Sequence, residues 1–246
     1  MTPPGDPDGD AMWRRGARAE APPGTSVVRV ADAHRAYRRG SESVQALRGV
    51  SLGLREGEIV GLVGPSGSGK TTLLNLLCGW EEPDSGDVTW AEGRNGSAGR
   101  GWADVAVLPQ GLGLLEELTI RENVEFPVHL AGGDPSGRVD GLVEGLGLGP
   151  LADRAPSEVS LGEQQRAALA RALVLGPRLL LADEPTAHQD ARWGRVAFAA
   201  IRAAARRGTS VLVATHNAEL AGLADRLLSI RDGRLTGSVP AGAGLG

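Results

Sequence analysis

The sequence contains one stretch, Gly64-Pro65-Ser66-Gly67-Ser68-Gly69-Lys70-Thr71, that decides what kind of fold the chain adopts. An apolar run at 58–63 precedes it and favours a strand, whereas a leucine-rich pattern at 71–77 follows it and favours a helix. The glycines let backbone amides turn inward around phosphate oxygens, where a Cβ would obstruct them. The helix adds unpaired N-terminal amides and the positive end of its dipole. The stretch fits the P-loop pattern G-x-x-x-x-G-K-[ST] and predicts a nucleotide phosphate site, with a glycine-rich turn before an ordinary helix as the alternative.

Lys70 is distinctive because it is the only lysine among the 26 Lys and Arg residues of the chain. An ammonium group is a compact point charge, whereas the guanidinium group of arginine is a planar fork. We therefore expect Lys70 to bind the β- and γ-phosphates and the hydroxyl of Thr71 to bind Mg²⁺.

The composition is that of an ordinary globular protein. The chain has 246 residues, of which 41% are hydrophobic and 23% are charged, so it can bury a sizeable core. A net charge of −4 provides no basic surface for nucleic acid. No apolar run is long enough to span a membrane and no signal-peptide pattern precedes the domain, so we expect a cytoplasmic protein.

The patterns along the chain predict one large α/β domain at 26–236. Apolar strand patterns alternate with helical ones, which indicates a mostly parallel sheet. Between about 112 and 158 the β-branched runs stop and the pattern becomes helical, which predicts an inserted α-helical subdomain. Residues 1–25 are rich in Pro, Gly and Asp and should form a disordered tail, and the Gly-rich end at 237–246 should be frayed.

A second helical pattern follows at 162–173 and stops at Gly176-Pro177. We expect Arg166 and Arg171 to lie on its solvated face. Most of the tryptophans are expected to pack against other side chains rather than to contact a ligand: Trp80, Trp90, Trp102 and Trp193.

Two carboxylates come directly after the buried strand pattern at 179–182. In an open α/β sheet the carboxyl end of a strand faces the ligand crevice. Asp183 can hold or orient Mg²⁺, and Glu184 can act on a water molecule beside the γ-phosphate. The alternative is that both residues cap the following helix.

Together these motifs resemble those of the ATP-binding subunits of ABC transporters, over residues 26–235. The resemblance implies a P-loop NTPase core with a mostly parallel sheet, an antiparallel β region and an inserted α-helical subdomain. It also implies that the chain binds ATP and Mg²⁺ and hydrolyses ATP.

The same resemblance implies a role for individual residues. Tyr37 would stack on adenine, and the alternative is a half-buried aromatic at a strand end. Nucleotide-binding residues would be Tyr37, Gly64, Pro65, Ser66, Gly67, Ser68, Gly69, Lys70, Thr71, Thr72 and Gln110. The catalytic residues would be Lys70, Glu184 and His216. The Mg²⁺ ligands would be Thr71, Gln110 and Asp183. For Gln110 and His216, a solvated strand end and a helix cap are the respective alternatives.

The signature segment, residues 160–163, departs from the usual family pattern. That pattern is Leu-Ser-Gly-Gly-Gln, whereas this chain has Val159 followed by Ser160, Leu161, Gly162 and Glu163. By the resemblance, this segment reaches the nucleotide of a neighbouring subunit, and Asp190 closes the adjoining D-loop. Leu161 replaces a glycine, and its side chain restricts the backbone. We therefore expect slowed hydrolysis.

The resemblance implies that two ATP-binding subunits face head to tail and drive a separate membrane permease. The chain would then lie on the inner face of the cell membrane. The stretches at 118–124, 130–132 and 162–166 are most similar to the lipoprotein-release and macrolide-export type. The alternative function is a nucleotide switch that acts on a membrane partner without transport, with slow or negligible turnover because of Leu161.

Overall fold

The computed structural model describes residues 25–40, 42–91, 101–135, 137–216 and 223–240. The helices in these ranges are α1 (Lys70–Cys78), α2 (Ile120–Leu130), α3 (Arg138–Gly145), α4 (Leu161–Leu173) and α5 (Ala191–Arg206). The strands are β1 (Ser26–Arg39), β2 (Glu42–Arg55), β3 (Ile59–Val63), β4 (Ser85–Trp90), β5 (Val105–Leu108), β6 (Leu179–Asp183), β7 (Ser210–Thr215), β8 (Arg226–Arg231) and β9 (Arg234–Pro240).

The central sheet has the strand order β5-β6-β7-β3-β8-β9. All of its neighbouring pairs are parallel except β8 and β9, which are antiparallel. Both faces are buried, because alternate side chains of β6 enter two different cores. Leu180 packs among the helices on one face, and Leu179 and Leu181 pack around α1 on the other. A strand buried on both faces has a continuous apolar sequence, and the apolar runs of β6 and β7 therefore indicate strands from the sequence alone.

A three-stranded antiparallel sheet with the order β2-β1-β4 packs over α1. Its first two strands extend over 26–39 and 42–55, although only 26–30 and 50–54 carry an apolar strand pattern in the sequence. The missed part of β1 carries half-exposed polar side chains, including His34 and Arg35. Such residues weaken the apolar alternation on which strand prediction depends.

The helical insertion follows β5. Its first helix, α2, begins at Ile120, later than the expected boundary at 112, because Thr119 and Glu122 form a capping box. The side chain of Glu122 accepts a hydrogen bond from Thr119 N at 2.8 Å, and Thr119 Oγ1 accepts one from Glu122 N at 3.2 Å. After α3, two 3-10 turns (Gly149–Leu151 and Pro156–Glu158) lead to α4.

Two arginines of α4 are buried, so the prediction of a solvated face for them is wrong. Arg166 is 4% exposed; its Nε donates to Leu146 O at 2.9 Å, and its guanidinium lies 3.9 Å from the ring centroid of Trp193. Arg171 is 8% exposed and donates to the carbonyl oxygens of Leu112 and Gly113. Both arginines therefore tie α4 to neighbouring loops.

The tryptophans pack to different extents. Trp90 is buried, whereas Trp80 and Trp102 are 63% and 41% exposed. Trp102 packs edge-on against Phe126, with ring centroids 6.3 Å apart, and Trp193 packs against the guanidinium of Arg166. None of the four is among the residues that line the cleft described below.

The ends of the chain differ in part from expectation. Strand β9 ends at Pro240, so strand pairing extends beyond the boundary expected at 236. Residues 1–24 of the expected tail, and positions 41, 92–100, 136, 217–222 and 241–246, lie outside the described residues. Within the described ranges, no helix combines the length and the apolarity that a membrane span needs.

Candidate active site

One cleft of about 820 Å³ gathers most of the residues predicted from the motifs. It lies at the carboxyl ends of the neighbouring parallel strands β5, β6, β7 and β3, which is the edge of an α/β sheet where ligands bind. Its walls include the predicted residues Tyr37, Ser66, Gly67, Gly69, Lys70, Thr71, Thr72, Gln110, Asp183, Glu184 and His216. Arg38, Val44, Ala46, Ala187 and His188 also line it and were not predicted.

The P-loop joins β3 to α1 and has the backbone that its glycines allow. Gly67 and Gly69 have φ values of 77° and 107°, which side-chain-bearing residues rarely adopt. Behind the wall of the cleft, a Cβ on Gly64 would collide with the carbonyl oxygen of Ile230 in β8. Lys70 Nζ donates to the carbonyl oxygens of Gly64 at 2.7 Å and Pro65 at 3.1 Å. The lysine therefore lies folded across the mouth of the loop.

Thr71 and Asp183 meet on one side of the cleft, where Thr71 Oγ1 donates to Asp183 Oδ2 at 2.8 Å. Burial raises the pKa of Asp183, as does the nearby charge of Glu184, against the opposing effects of Thr71 and Lys70. A hydroxyl and a carboxylate oxygen are hard ligands that suit Mg²⁺. The described residues hold no cluster of three or more His, Cys, Asp or Glu side chains, so a cation here would need other oxygen ligands as well.

Glu184 lies opposite, held by the end of β7. Its Oε2 accepts a hydrogen bond from Thr215 Oγ1 at 2.9 Å, and its Oε1 accepts one from His216 N at 2.9 Å. The ring atom His216 Nδ1 lies 2.7 Å from the same Oε1. The backbone of Glu184 has a φ of 52°, in the left-handed region that is uncommon for residues other than glycine. The motifs predicted Glu184 and His216 but gave no indication of Thr215.

Tyr37 is held at the other end of the cleft by charged neighbours. Its hydroxyl donates to Glu81 Oε2 at 2.6 Å, and the guanidinium of Arg35 lies 5.3 Å from its ring centroid. Burial acts to raise the pKa of Glu81, but hydrogen bonds from Tyr37, Asn75 and Arg35 outweigh burial and lower it. Glu81 therefore remains charged and fixes the ring, a role that the sequence did not suggest.

The signature segment lies outside this cleft, at the start of α4. Ser160 is the N-cap, and Glu163 Oε2 accepts hydrogen bonds from its N at 2.7 Å and its Oγ at 2.8 Å. Leu161 is the first helical residue, has no positive φ and is 47% exposed. A helical backbone is open to every L-residue, so the backbone argument for slowed hydrolysis does not apply. Asp190 likewise caps a helix, since its Oδ1 accepts a hydrogen bond from Trp193 N at 2.9 Å.

Gly162 differs from Leu161 in that its position requires a glycine. A Cβ there would lie 2.7 Å from the carbonyl oxygen of His188. The start of α4 therefore packs directly on the loop between β6 and α5.

Comparison with known proteins decides the family. The family model described as ABC transporter matches residues 47–187. The chain belongs to this family. The cassette is 44% identical over 222 residues to the lipoprotein-releasing system ATP-binding protein LolD of Maricaulis maris, covering 84% of this chain and 95% of that protein. It is 38% identical to the macrolide export ATP-binding/permease protein MacB of Chlorobium luteolum, covering 86% of this chain but 33% of that longer protein.

Solved structures agree with this assignment. The cassette superposes with a TM-score of 0.80 on the ATP-binding cassette MJ0796 in a dimeric post-hydrolysis state bound to ADP and Pi. The two are 30% identical, and the match covers 87% of this chain and 98% of that one. The predicted fold class is therefore confirmed, and the chain is an ATP-binding cassette with ATP hydrolase activity.

Proposed function

We propose that this cassette hydrolyses ATP at an interface between two ATP-binding subunits and drives a separate membrane permease. One observation carries the proposal: the P-loop, Asp183 and Glu184 line one cleft, while the signature segment of the same chain lies outside it. A head-to-tail pair would place the signature segment of one subunit over the P-loop of the other. The dimeric state of the similar cassette MJ0796 supports this arrangement.

The P-loop and the N-terminus of α1 bind the phosphates. Backbone amides of 64–71 and the N-terminus of α1 surround the phosphates. Lys70 Nζ, which now donates to two loop carbonyls, exchanges them for β- and γ-phosphate oxygens. Thr71, Asp183 and Gln110 would hold Mg²⁺, which would neutralise phosphate charge.

Glu184 is the group that activates or orients the attacking water. Its carboxylate is aimed into the cleft by Thr215 and His216, and a carboxylate is an acceptor for a water proton. The ring of His216, close to Glu184 Oε1, stabilises the charge of the γ-phosphate as the bond breaks.

The names of the similar proteins LolD and MacB support the proposed permease partner and the assignment to the lipoprotein-release and macrolide-export type. LolD is named as the ATP-binding protein of a lipoprotein-releasing system, and the chain covers almost all of it. MacB is named as the macrolide export ATP-binding/permease protein. We assign the cassette to this group, acting at the inner face of the cell membrane through a permease on a separate chain.

The alternative of a nucleotide switch without transport rested on Leu161 and is not favoured. The residue has a helical backbone and a half-exposed side chain, so it does not force the signature segment away from a nucleotide.

The test of the proposed function is the substitution Glu184→Gln, which keeps the size of the side chain and removes its basicity. We expect the variant to bind ATP with unchanged affinity, to lose turnover about 100-fold or more, and to elute as a dimer in ATP and a monomer without it. Wild-type turnover of the variant would remove Glu184 from this role. A monomer at saturating ATP would contradict the shared site.

A further inference from the structure

A buried amide side chain behind the cleft joins the signature helix to the backbone of Glu184. Gln165 is on α4 and 2% exposed. Its Nε2 donates to Glu184 O at 2.6 Å, and its Oε1 accepts a hydrogen bond from His188 N at 3.2 Å. One carboxamide thus holds both ends of the turn at 184–188. Neither of these two hydrogen bonds involves the P-loop.

Glu184 has a backbone that needs such support. Its φ of 52° lies in the left-handed region, which is strained for a residue with a side chain and persists only where neighbouring groups hold it. Glu184 N donates to Ala214 O at 2.8 Å, and Glu184 O accepts a second, longer hydrogen bond from Ala187 N at 3.2 Å. Without the shorter bond from Gln165, the longer bond within the turn is the one left on the carbonyl end of Glu184, which can then relax toward a negative φ. That rotation would swing the carboxylate away from Thr215 and His216.

The same helix begins at the signature segment, within five residues of Gln165. Gly162 packs against His188 O, so α4 contacts the turn at two points, through a backbone contact and through the carboxamide. A shift of the start of α4 would therefore be transmitted to Glu184. The signature segment is thereby connected, through the first turn of α4 and one hydrogen bond, to the backbone of Glu184 in this subunit's own cleft.

We propose that Gln165 is a positioning residue that holds Glu184 in its left-handed backbone conformation and couples its orientation to the signature end of α4. The inference rests on the proposed role of Glu184 in hydrolysis.

The first test is Gln165→Met, which keeps the length of the side chain and removes both hydrogen bonds. The expected result is a fall in kcat of about 10- to 100-fold, the upper end being the loss that a misplacement of about 1 Å can cause, with unchanged KM and unchanged equilibrium binding of ATP. Gln164→Met is the matched control, because Gln164 Nε2 also donates to two carbonyl oxygens, those of Pro156 and Val159, but is not directed at the cleft. We expect it to retain wild-type kcat. A fall in kcat for both variants, or for neither, would overturn the proposal.

A second variant tests the reach of the carboxamide. Gln165→Asn keeps the donor and the acceptor but is one methylene shorter, so it cannot bond both Glu184 O and His188 N from the same backbone position, and the same fall in kcat is expected. Wild-type kcat in this variant would overturn the proposal, even if the methionine variant did not fold.

A double-mutant cycle with Glu184→Gln decides whether Gln165 acts through Glu184. Residual hydrolysis is measured in single-turnover reactions. The second substitution, Gln165→Met, should have little further effect, because the carboxylate it positions is already absent. An equal fold-loss in both backgrounds would overturn the positioning role alone. Wild-type hydrolysis by Glu184→Gln itself would instead overturn the proposed role of Glu184 and the inference with it.

Discussion

Substitution of Gly162 by alanine should destabilise the cassette, although alanine normally stabilises a helix. The new Cβ would lie 2.7 Å from His188 O, closer than real Cβ contacts come, and the obstacle is backbone rather than a flexible side chain. Overpacking of this kind costs about 1–3 kcal/mol, and the helical preference of alanine over glycine returns about 0.5–1 kcal/mol. The expected net loss is about 1–2 kcal/mol, or about 2–8 °C in Tm for a domain of this size.

The assay is thermal and urea unfolding of the nucleotide-free chain, with Gly194→Ala as the matched control. Gly194 is also helical, in α5, but its nearest obstacles are Thr186 side-chain atoms at 3.9 Å, an ordinary contact distance. Alanine should therefore stabilise that position by about 0.5–1 kcal/mol. The reasoning is refuted if Gly162→Ala unfolds at or above the wild-type temperature, as the control should.

Three further predictions concern the cleft and its neighbours. Leu161→Gly should leave the ATPase rate of the assembled complex unchanged, because the position is helical; a faster variant would show that Leu161 does slow hydrolysis. Glu81→Gln should raise the KM for ATP about 3- to 10-fold at constant kcat, because a charge-assisted hydrogen bond to Tyr37 is weakened; an unchanged KM would argue against a role for Glu81. Burial raises the pKa of Asp183, and Mg²⁺ binds its ionised form. As the pH is lowered, the apparent affinity for Mg²⁺ in ATPase titrations should therefore begin to fall at a higher pH than it would with an ordinary aspartate. An affinity that does not change with pH would contradict this.

The residues that the sequence located are those whose chemistry depends on a fixed local spacing. The P-loop is one continuous segment, and Asp183 and Glu184 follow a strand whose apolar run marks it as buried on both faces. His216 follows the neighbouring strand β7, so parallel pairing brings it to the same edge. Motif and topology together were therefore enough to place these groups in one cleft.

The residues that the sequence missed act through backbone atoms distant along the chain. Gln165 bonds a carbonyl and an amide 19 and 23 positions away, and no short pattern encodes such a contact. A weak signal was nevertheless present, because Gln165 is one helical turn before Leu169 and two before Leu173, which puts it on a buried face. A polar residue on an apolar helix face indicates that a buried hydrogen-bond partner exists.

The burial of Arg166 and Arg171 was missed for a related reason. Arginine in a helical pattern usually marks the solvated face. Here the guanidinium groups donate to carbonyl oxygens of loops that approach α4 only in the folded chain. The left-handed backbone of Glu184 was equally hidden, since nothing in the sequence around Asp183-Glu184-Pro185 requires a positive φ.

The central claim, that each ATP is hydrolysed between two subunits, is tested most directly by mixing two inactive variants. Lys70→Ala removes the P-loop cation but keeps a normal signature segment, and Ser160→Arg blocks the signature segment but keeps a normal P-loop. Each homodimer should be inactive, whereas a mixed dimer has one intact site, so random mixing should restore up to about a quarter of the wild-type ATPase rate. No activity above the sum of the two separate variants, or wild-type activity of Ser160→Arg alone, would contradict a site shared between subunits.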